Sequence, residues 1–113
     1  MSKVFVNVGM SLDGFMAGPN GGPKNPMGGV SGLLHKWMFN QDVFRKKLGI
    51  PGDGETGANN EIAKHTFERI GANVMGKRMF DEGEAAWPEE APFHCSVFVV
   101  TKTQREPWVR KGG

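Results

Sequence analysis

The chain has 113 residues, of which 38% are apolar and 23% charged, with a formal net charge of +2. This composition predicts one globular domain and excludes an intrinsically disordered chain, which carries fewer apolar residues. Cys95 is the only cysteine, which excludes an internal disulfide and a zinc site built from several cysteines. The sequence has no apolar run near the ~20 residues of a membrane span and no signal-peptide pattern, so we expect a cytoplasmic protein without a membrane partner. The basic residues are scattered among acids, which argues against a nucleic-acid partner.

The N-terminal third predicts one strand and one long loop. Val4–Ser11 is rich in β-branched and aromatic residues, which indicates a first strand buried on both faces in the interior of a sheet. Leu12–Pro23 is rich in glycine but also carries apolar side chains. A loop of this kind usually covers another feature of the molecule instead of serving only as a solvated connection.

Two amphipathic helices follow. The first is predicted to begin after Ser31 as its N-cap and to stop at Gly49, because apolar and polar positions recur at helical spacing: Leu34, Trp37, Met38, Gln41, Phe44 and Leu48. Asn60 is the predicted N-cap of the second helix, and Gly71 its C′ residue.

The C-terminal part predicts a strand at Ala72–Met75, a short helix from Lys77 to Ala86 and a strand at Val97–Thr101. Alternating strands and helices indicate an α/β fold with a mainly parallel sheet, where ligands bind at the carboxyl ends of the strands. A sheet of about three strands is thin for parallel strands, which need cover on both faces. We therefore expect either a fragment of a longer fold or a homo-oligomer, such as a dimer, in which a partner chain completes the sheet.

The turn after the second predicted strand has the chemistry of an anion site. Gly76 leaves room near the backbone, the next helix presents unpaired N–H groups, and Lys77 and Arg78 add two positive charges. The alternative is that both cations are solvated helix-start residues. Gly71 and Gly76-Lys77 have P-loop spacing, but Arg78 stands where a Mg²⁺-binding hydroxyl is required, which disfavours a nucleoside triphosphatase.

Other chemistry-bearing residues give weaker patterns. The three histidines share no metal-ligand spacing, so no metal site is expected. Trp37 is either a core residue or one wall of a substrate pocket beside the glycine-rich loop. The stretch from Thr101 to Arg105 forms a second polar and basic cluster suited to a phosphate or a ribose.

Three ordered motifs resemble the dihydrofolate reductase-like superfamily: Ser11-Leu12-Asp13-Gly14-Phe15-Met16-Ala17, Val74-Met75-Gly76-Lys77-Arg78-Met79-Phe80 and Val99-Val100-Thr101-Lys102. The likeness is greatest to the reductase domain of the bifunctional riboflavin-biosynthesis deaminase-reductase and its stand-alone relatives. The resemblance covers nearly all of this chain. We therefore expect residues 1–113 to form the N-terminal part of a single domain of that fold. The resemblance implies a three-layer α/β fold with a mainly parallel central sheet, which we expect to be truncated here.

The resemblance also implies NADPH as the cofactor. By motif match, Ala17 and Gly18 would touch the nicotinamide, and Thr101 and Lys102 would lie beside the adenosine 2′-phosphate. The phosphates would be held by the residues of the turn, Gly76, Lys77, Arg78 and Met79.

Hydride transfer needs the nicotinamide placed against its acceptor, water excluded and a proton supplied. Asp13 is the only carboxylate in the motif-bearing loop and is the candidate catalytic residue, although it could equally cap its own turn. Dihydrofolate reductases carry an acid on the first helix, which Leu33–Trp37 lacks. A folate substrate is thus disfavoured, and a ribosylaminopyrimidine or another small carbonyl or imine compound remains open.

The leading hypothesis is an NADPH-dependent reductase acting on a small-molecule substrate. The alternatives are a nucleotide-binding remnant without catalysis and a structural module that binds no dinucleotide.

Overall fold

Four helices and two strands make up the regular structure of the computed structural model, which describes residues 1–112. In chain order they are a 3₁₀ turn at Pro26–Gly29, α1 (Ser31–Phe39), α2 (Asp42–Lys47), α3 (Ala58–Glu68), β1 (Ala72–Gly76), α4 (Lys77–Glu84) and β2 (Ser96–Val100). The predicted α/β class is confirmed. Gly113, the last residue of the predicted domain, lies outside the described residues, and none of the described helices is long and apolar enough to cross a membrane.

The two strands form a parallel sheet. Ala72 of β1 lies opposite Ser96 of β2, and Gly76 lies opposite Val100, so the two carboxyl ends are level with each other. The intervening helix α4 contacts both strands. The prediction of parallel neighbours is therefore correct for this pair, while the finer dihydrofolate reductase-like arrangement stays a prediction.

The faces of the sheet differ in burial. Met75 is buried at 6% exposure, whereas Val74 beside it in the strand is 70% exposed. Phe98, the register partner of Val74, is also largely exposed, as is Val100. Side chains alternate between the two faces of a strand, so these apolar residues share the face that the described residues leave open.

The predicted first strand is not formed. Residues 1–10 have no regular secondary structure, and Val4 and Val6 are largely exposed instead of buried. Phe5 lies under the guanidinium of Arg69, 4.7 Å from its ring centroid, and Gly9 is close to the His35 ring. Strand-forming residues need a neighbouring ladder of hydrogen bonds, and this segment contacts side chains near α3 and α1 instead of pairing with β1 or β2. The predicted three-stranded sheet is thus two-stranded within residues 1–112.

The predicted first helix is divided at Asn40 and Gln41. Gln41 has extended backbone angles, φ −76° and ψ 137°, and forms an isolated parallel bridge with Glu55. Its side chain is fully buried, and its amide donates to the Trp37 carbonyl at 2.8 Å and to the Glu55 carboxylate at 3.3 Å. Gln41 therefore bonds to the loop before α3, and the single continuous helix that the side-chain spacing predicted is interrupted there.

Several element boundaries also differ from the predictions. Val30, not Ser31, is the N-cap of α1, and Gly57, not Asn60, is the N-cap of α3. Asn60 is buried inside α3, and its side-chain oxygen accepts a hydrogen bond from the Val43 amide at 2.9 Å. It therefore joins α3 to α2 instead of capping its own helix. The last helix ends at Glu84 instead of Ala86, and the last strand spans Ser96–Val100 instead of Val97–Thr101.

We expect Met75→Ala to lower the free energy of unfolding by about 2–4 kcal/mol, because a buried methionine leaves a cavity when truncated. The control is Val74→Ala on the open face of the same strand, with an expected change below about 0.5 kcal/mol. Urea denaturation of both variants checks this. Equal losses would mean that the two faces of β1 are equally buried.

Candidate functional site

The turn between β1 and α4 is the centre of the candidate site. Gly76 is both the last residue of β1 and the N-cap of α4, with extended angles of φ −78° and ψ 159°. The helix therefore begins directly at Lys77, with no intervening loop. Its first-turn N–H groups lie at the carboxyl edge of the sheet, where the helix end carries a partial positive charge of ~0.5 e.

The end of β2 lies beside this turn. Because Gly76 pairs in register with Val100, Thr101 and Lys102 leave the sheet at the same edge as Lys77. The Thr101 hydroxyl accepts a hydrogen bond from the Thr103 amide at 3.0 Å, which fixes the first bend after the strand. The residues predicted to contact the phosphates and the adenosine 2′-phosphate therefore lie at the same edge of the sheet.

Both cations of the turn have intrahelical carboxylate partners. Lys77 Nζ lies 2.6 Å from Asp81 Oδ2, and Arg78 Nε lies 3.1 Å from Glu82 Oε1. The Lys77 and Arg78 side chains remain about half exposed or more. The Lys77–Asp81 pair is partly exposed on both sides, and such a pair is worth only ~0.3–0.5 kcal/mol, so Lys77 stays accessible to a more strongly charged ligand. The Arg78–Glu82 pair differs, because its carboxylate is buried.

The glycine-rich segment, Gly18–Gly29, is attached to α4 by two hydrogen bonds. Arg78 Nη2 donates to the Gly21 carbonyl at 3.1 Å, and the Met27 amide donates to Glu82 Oε2 at 2.8 Å. The 3₁₀ turn at the end of this segment contacts both α1 and α4. The segment therefore connects α1 with α4 beside the candidate site.

The segment is also closed on itself. The Gly18 amide donates to the Met27 carbonyl at 2.9 Å, and Gly28 approaches Gly18 so closely that a Cβ atom on Gly18 would lie 2.6 Å from the Gly28 oxygen. Met27 has a left-handed backbone, with φ 53° and ψ 24°, which side-chain-bearing residues rarely adopt. Gly18, the predicted nicotinamide contact, thus borders a strained bend.

Asp13 lies in a turn of its own. Ser11 Oγ is 2.5 Å from Asp13 Oδ1, the Phe15 amide donates to Ser11 Oγ at 3.0 Å, and the Ser11 amide donates to the Phe15 carbonyl at 2.8 Å. Leu12 and Phe15 are largely exposed. The Asp13 carboxylate thus accepts from the Ser11 hydroxyl, and it is the Ser11 hydroxyl that accepts the backbone amide of the turn. The catalytic role of Asp13 stays a prediction.

Trp37 lies on α1 and is 45% exposed, so it is not a buried core residue. Its role as a wall of a substrate pocket beside the glycine-rich loop stays a prediction. Helix α1 contacts the 3₁₀ turn, α2 and α3. The Trp37 carbonyl accepts from Gln41, as described above. The structure therefore does not bring Trp37 to the phosphate residues.

Two surface cavities lie away from the turn. One of about 430 Å³ is lined by Asn40, Arg45 and Asp53–Glu55, and the other, of about 310 Å³, lies between the C-terminal end of α2 and Pro88–His94. Among residues 1–112, no group of three or more His, Cys, Asp or Glu side chains is placed to hold a metal ion.

No family model matches this chain, and the comparison with curated proteins finds no match either.

Sequence reasoning missed the two acids that hold the basic turn. Asp81 and Glu82 lie four residues after Lys77 and Arg78, the spacing at which side chains meet on a helix. That spacing was a usable signal for the ion pairs. The contact of Glu82 with Met27 spans 55 positions and has no counterpart in local sequence.

The hydrogen bond from the Met27 amide, and next the Arg78 guanidinium, holds the pKa of Glu82 below its ordinary value of 4.5. A lowered folded-state pKa contributes stability that is present above about pH 4.5 and is lost as the pH falls through the folded value. We expect the stability advantage of the wild type over Glu82→Gln to shrink as the pH falls from about 6 to about 3. Denaturant melts across this range check it, with Glu68→Gln on α3 as the control for removing one exposed carboxylate. An advantage that grows on acidification would contradict the expected sign.

Proposed function

We propose that this protein binds NADPH at the edge formed by the Gly76 turn and the Thr101-Lys102 bend, and that it is a reductase. The observation that carries the proposal is the level ending of the two parallel strands, which places two basic segments beside a helix N-terminus. Phosphate groups are favoured at such a position by the helix dipole and by charge-assisted hydrogen bonds. The motif resemblance supports the same ligand.

In this proposal the dinucleotide phosphates contact the first turn of α4 from Gly76 to Met79. Lys77 and Arg78 exchange part of their contact with Asp81 and Glu82 for the more highly charged phosphates. Thr101 and Lys102 lie at the adenosine 2′-phosphate, while Ala17 and Gly18 lie towards the nicotinamide. The substrate is a small pyrimidine, carbonyl or imine compound, which accepts hydride from the reduced nicotinamide.

A nucleotide-binding function without catalysis is the second candidate. The exposed loop around Asp13 favours it, because that carboxylate contacts Ser11 of its own turn and the loop leaves Leu12 in solvent. A site that excludes water from the reacting centre requires this loop to close over the ligand. Both candidate functions therefore require NADPH binding, and only the reductase oxidises NADPH.

We expect Lys102→Ala to weaken NADPH binding about tenfold, because one charge-assisted phosphate contact is worth ~1.5 kcal/mol, and to change NADH binding less than twofold. Lys77→Ala should weaken both dinucleotides alike, since both carry the pyrophosphate. Nucleotide fluorescence titrations measure the four dissociation constants, with Lys64→Ala on α3 as the control. If Lys102→Ala and Lys64→Ala affect NADPH equally, the assignment of the 2′-phosphate to this edge is wrong.

Turnover separates the two functions. The reductase proposal expects acceptor-dependent loss of NADPH absorbance at 340 nm with at least one member of a panel of aminopyrimidine, carbonyl and imine compounds. It also expects Asp13→Asn to lower kcat while the NADPH dissociation constant stays within about twofold. NADPH binding without oxidation over the whole panel would favour the non-catalytic function, and absence of binding would exclude both.

A further inference from the structure

Glu82 is the most unusual carboxylate near the candidate site. It lies in the middle of α4 and is only 9% exposed, whereas Lys77 on the same helix remains about half exposed. Acidic side chains are rarely buried unless they are paired and hydrogen-bonded. Each Glu82 oxygen has one partner: Oε1 lies 3.1 Å from Arg78 Nε, and Oε2 accepts from the Met27 amide at 2.8 Å.

The two partners of Glu82 are joined by a further contact. Arg78 donates through Nη2 to the Gly21 carbonyl, and Gly21 lies in the same glycine-rich segment as Met27. The contacts therefore form a closed ring from Glu82 to Arg78, to Gly21, along the segment to Met27, and back to Glu82. A ring of this kind fixes the segment relative to α4 at two points instead of one.

The conformation of Met27 indicates that the ring does more than hold a loop on the surface. Left-handed angles at a residue with a long side chain are unfavourable by ~1–3 kcal/mol, and they persist where the surrounding contacts enforce them. Met27 has φ 53°, and the contact that Glu82 makes is to its backbone amide. Strained residues of this kind cluster at ligand sites, where they fix geometry before the ligand arrives.

We propose that Glu82 is a positioning residue of the dinucleotide site, holding the Arg78 guanidinium at Gly21 and the glycine-rich segment against α4. This inference rests on the proposed function. The segment contains Gly18, and Arg78 is in the turn, so one carboxylate contacts both parts of the predicted cofactor site. Glu82 itself touches neither the dinucleotide nor the substrate. Its effect is to set the segment in place before binding, which reduces the ordering required when the ligand arrives.

The test compares three variants with the wild type. Glu82→Ala removes both contacts, whereas Glu82→Gln keeps a side-chain oxygen that can accept from the Met27 amide. The matched control is Glu84→Ala on the same helix, since Glu84 pairs with Arg105 at 2.9 Å and, within residues 1–112, forms no hydrogen bond to Met27 or Gly21. The first readout is the hydrogen-exchange rate of the Met27 amide in the ligand-free protein, supported by the rate of trypsin cleavage after the exposed Lys24. The second is the NADPH dissociation constant.

We expect Glu82→Ala to accelerate Met27 exchange and to weaken NADPH about tenfold, since hydrogen bonds to charged groups are worth ~1.5–3 kcal/mol. Glu84→Ala should change both readouts less than about twofold. Glu82→Gln should restore most of the Met27 protection and most of the NADPH affinity, a rescue that general loss of stability would not produce. If Glu82→Ala is unfolded, Glu82→Asp takes its place, because it keeps the charge but shortens the reach to Met27 and Arg78 by one methylene. Faster Met27 exchange in Glu82→Asp than in Glu84→Ala would support the proposal, and equal exchange would overturn it.

Two results would overturn the proposal, and they differ from failure of the proposed function. Unchanged Met27 exchange in Glu82→Ala would show that Glu82 does not hold the segment. Faster Met27 exchange with unaltered NADPH binding would show that the segment is not part of the dinucleotide site. Failure of the wild type itself to bind NADPH would reject the proposed function, and the ligand-free exchange rates would still show whether Glu82 holds the segment.

Discussion

The candidate site depends on the register of one pair of parallel strands. Gly76 and Val100 end level with each other, so the basic residues that follow each strand meet at a single edge. A register shift of one residue would also move Met75 from the buried face to the open one. The burial of Met75 therefore supports the same alignment that brings Lys77 and Lys102 together. The placement of the polar site and the packing of the core are consequences of one hydrogen-bonded ladder.

The second constraint is the attachment of the glycine-rich segment to α4. A parallel pair places the turn, but it does not place the residues predicted to contact the nicotinamide, which lie more than fifty positions earlier in the chain. The ring of contacts through Glu82 provides that placement. It does so with a buried carboxylate, which ties the position of the segment to the presence of Arg78, since a buried charge without its partner is strongly unfavourable. The basic turn and the segment are thus energetically coupled.

Local sequence predicted the features that depend on local chemistry. The strand at Ala72, the helix from Lys77 and the strand near Val97 were placed within one or two residues, because apolar runs and their glycine boundaries mark them directly. Features that depend on distant partners were not predictable in this way. Val4–Ser11 has strand composition, but strand formation needs a neighbouring edge, and Gln41 interrupts a helical pattern because its partner Glu55 lies 14 residues away. The contact between Met27 and Glu82 is of the same kind.

The charge arrangement at the turn explains how a basic helix start is tolerated without a ligand. Lys77 and Arg78 lie at the positive end of the α4 dipole, where cations are unfavourable, and no acid occupies the first turn to offset them. Asp81 and Glu82, one turn later, supply the compensating charge. A bound phosphate at the helix N-terminus would oppose the same unfavourable field more directly, since it would contact both the free N–H groups and the two cations. The difference between these two compensations is the electrostatic contribution to binding.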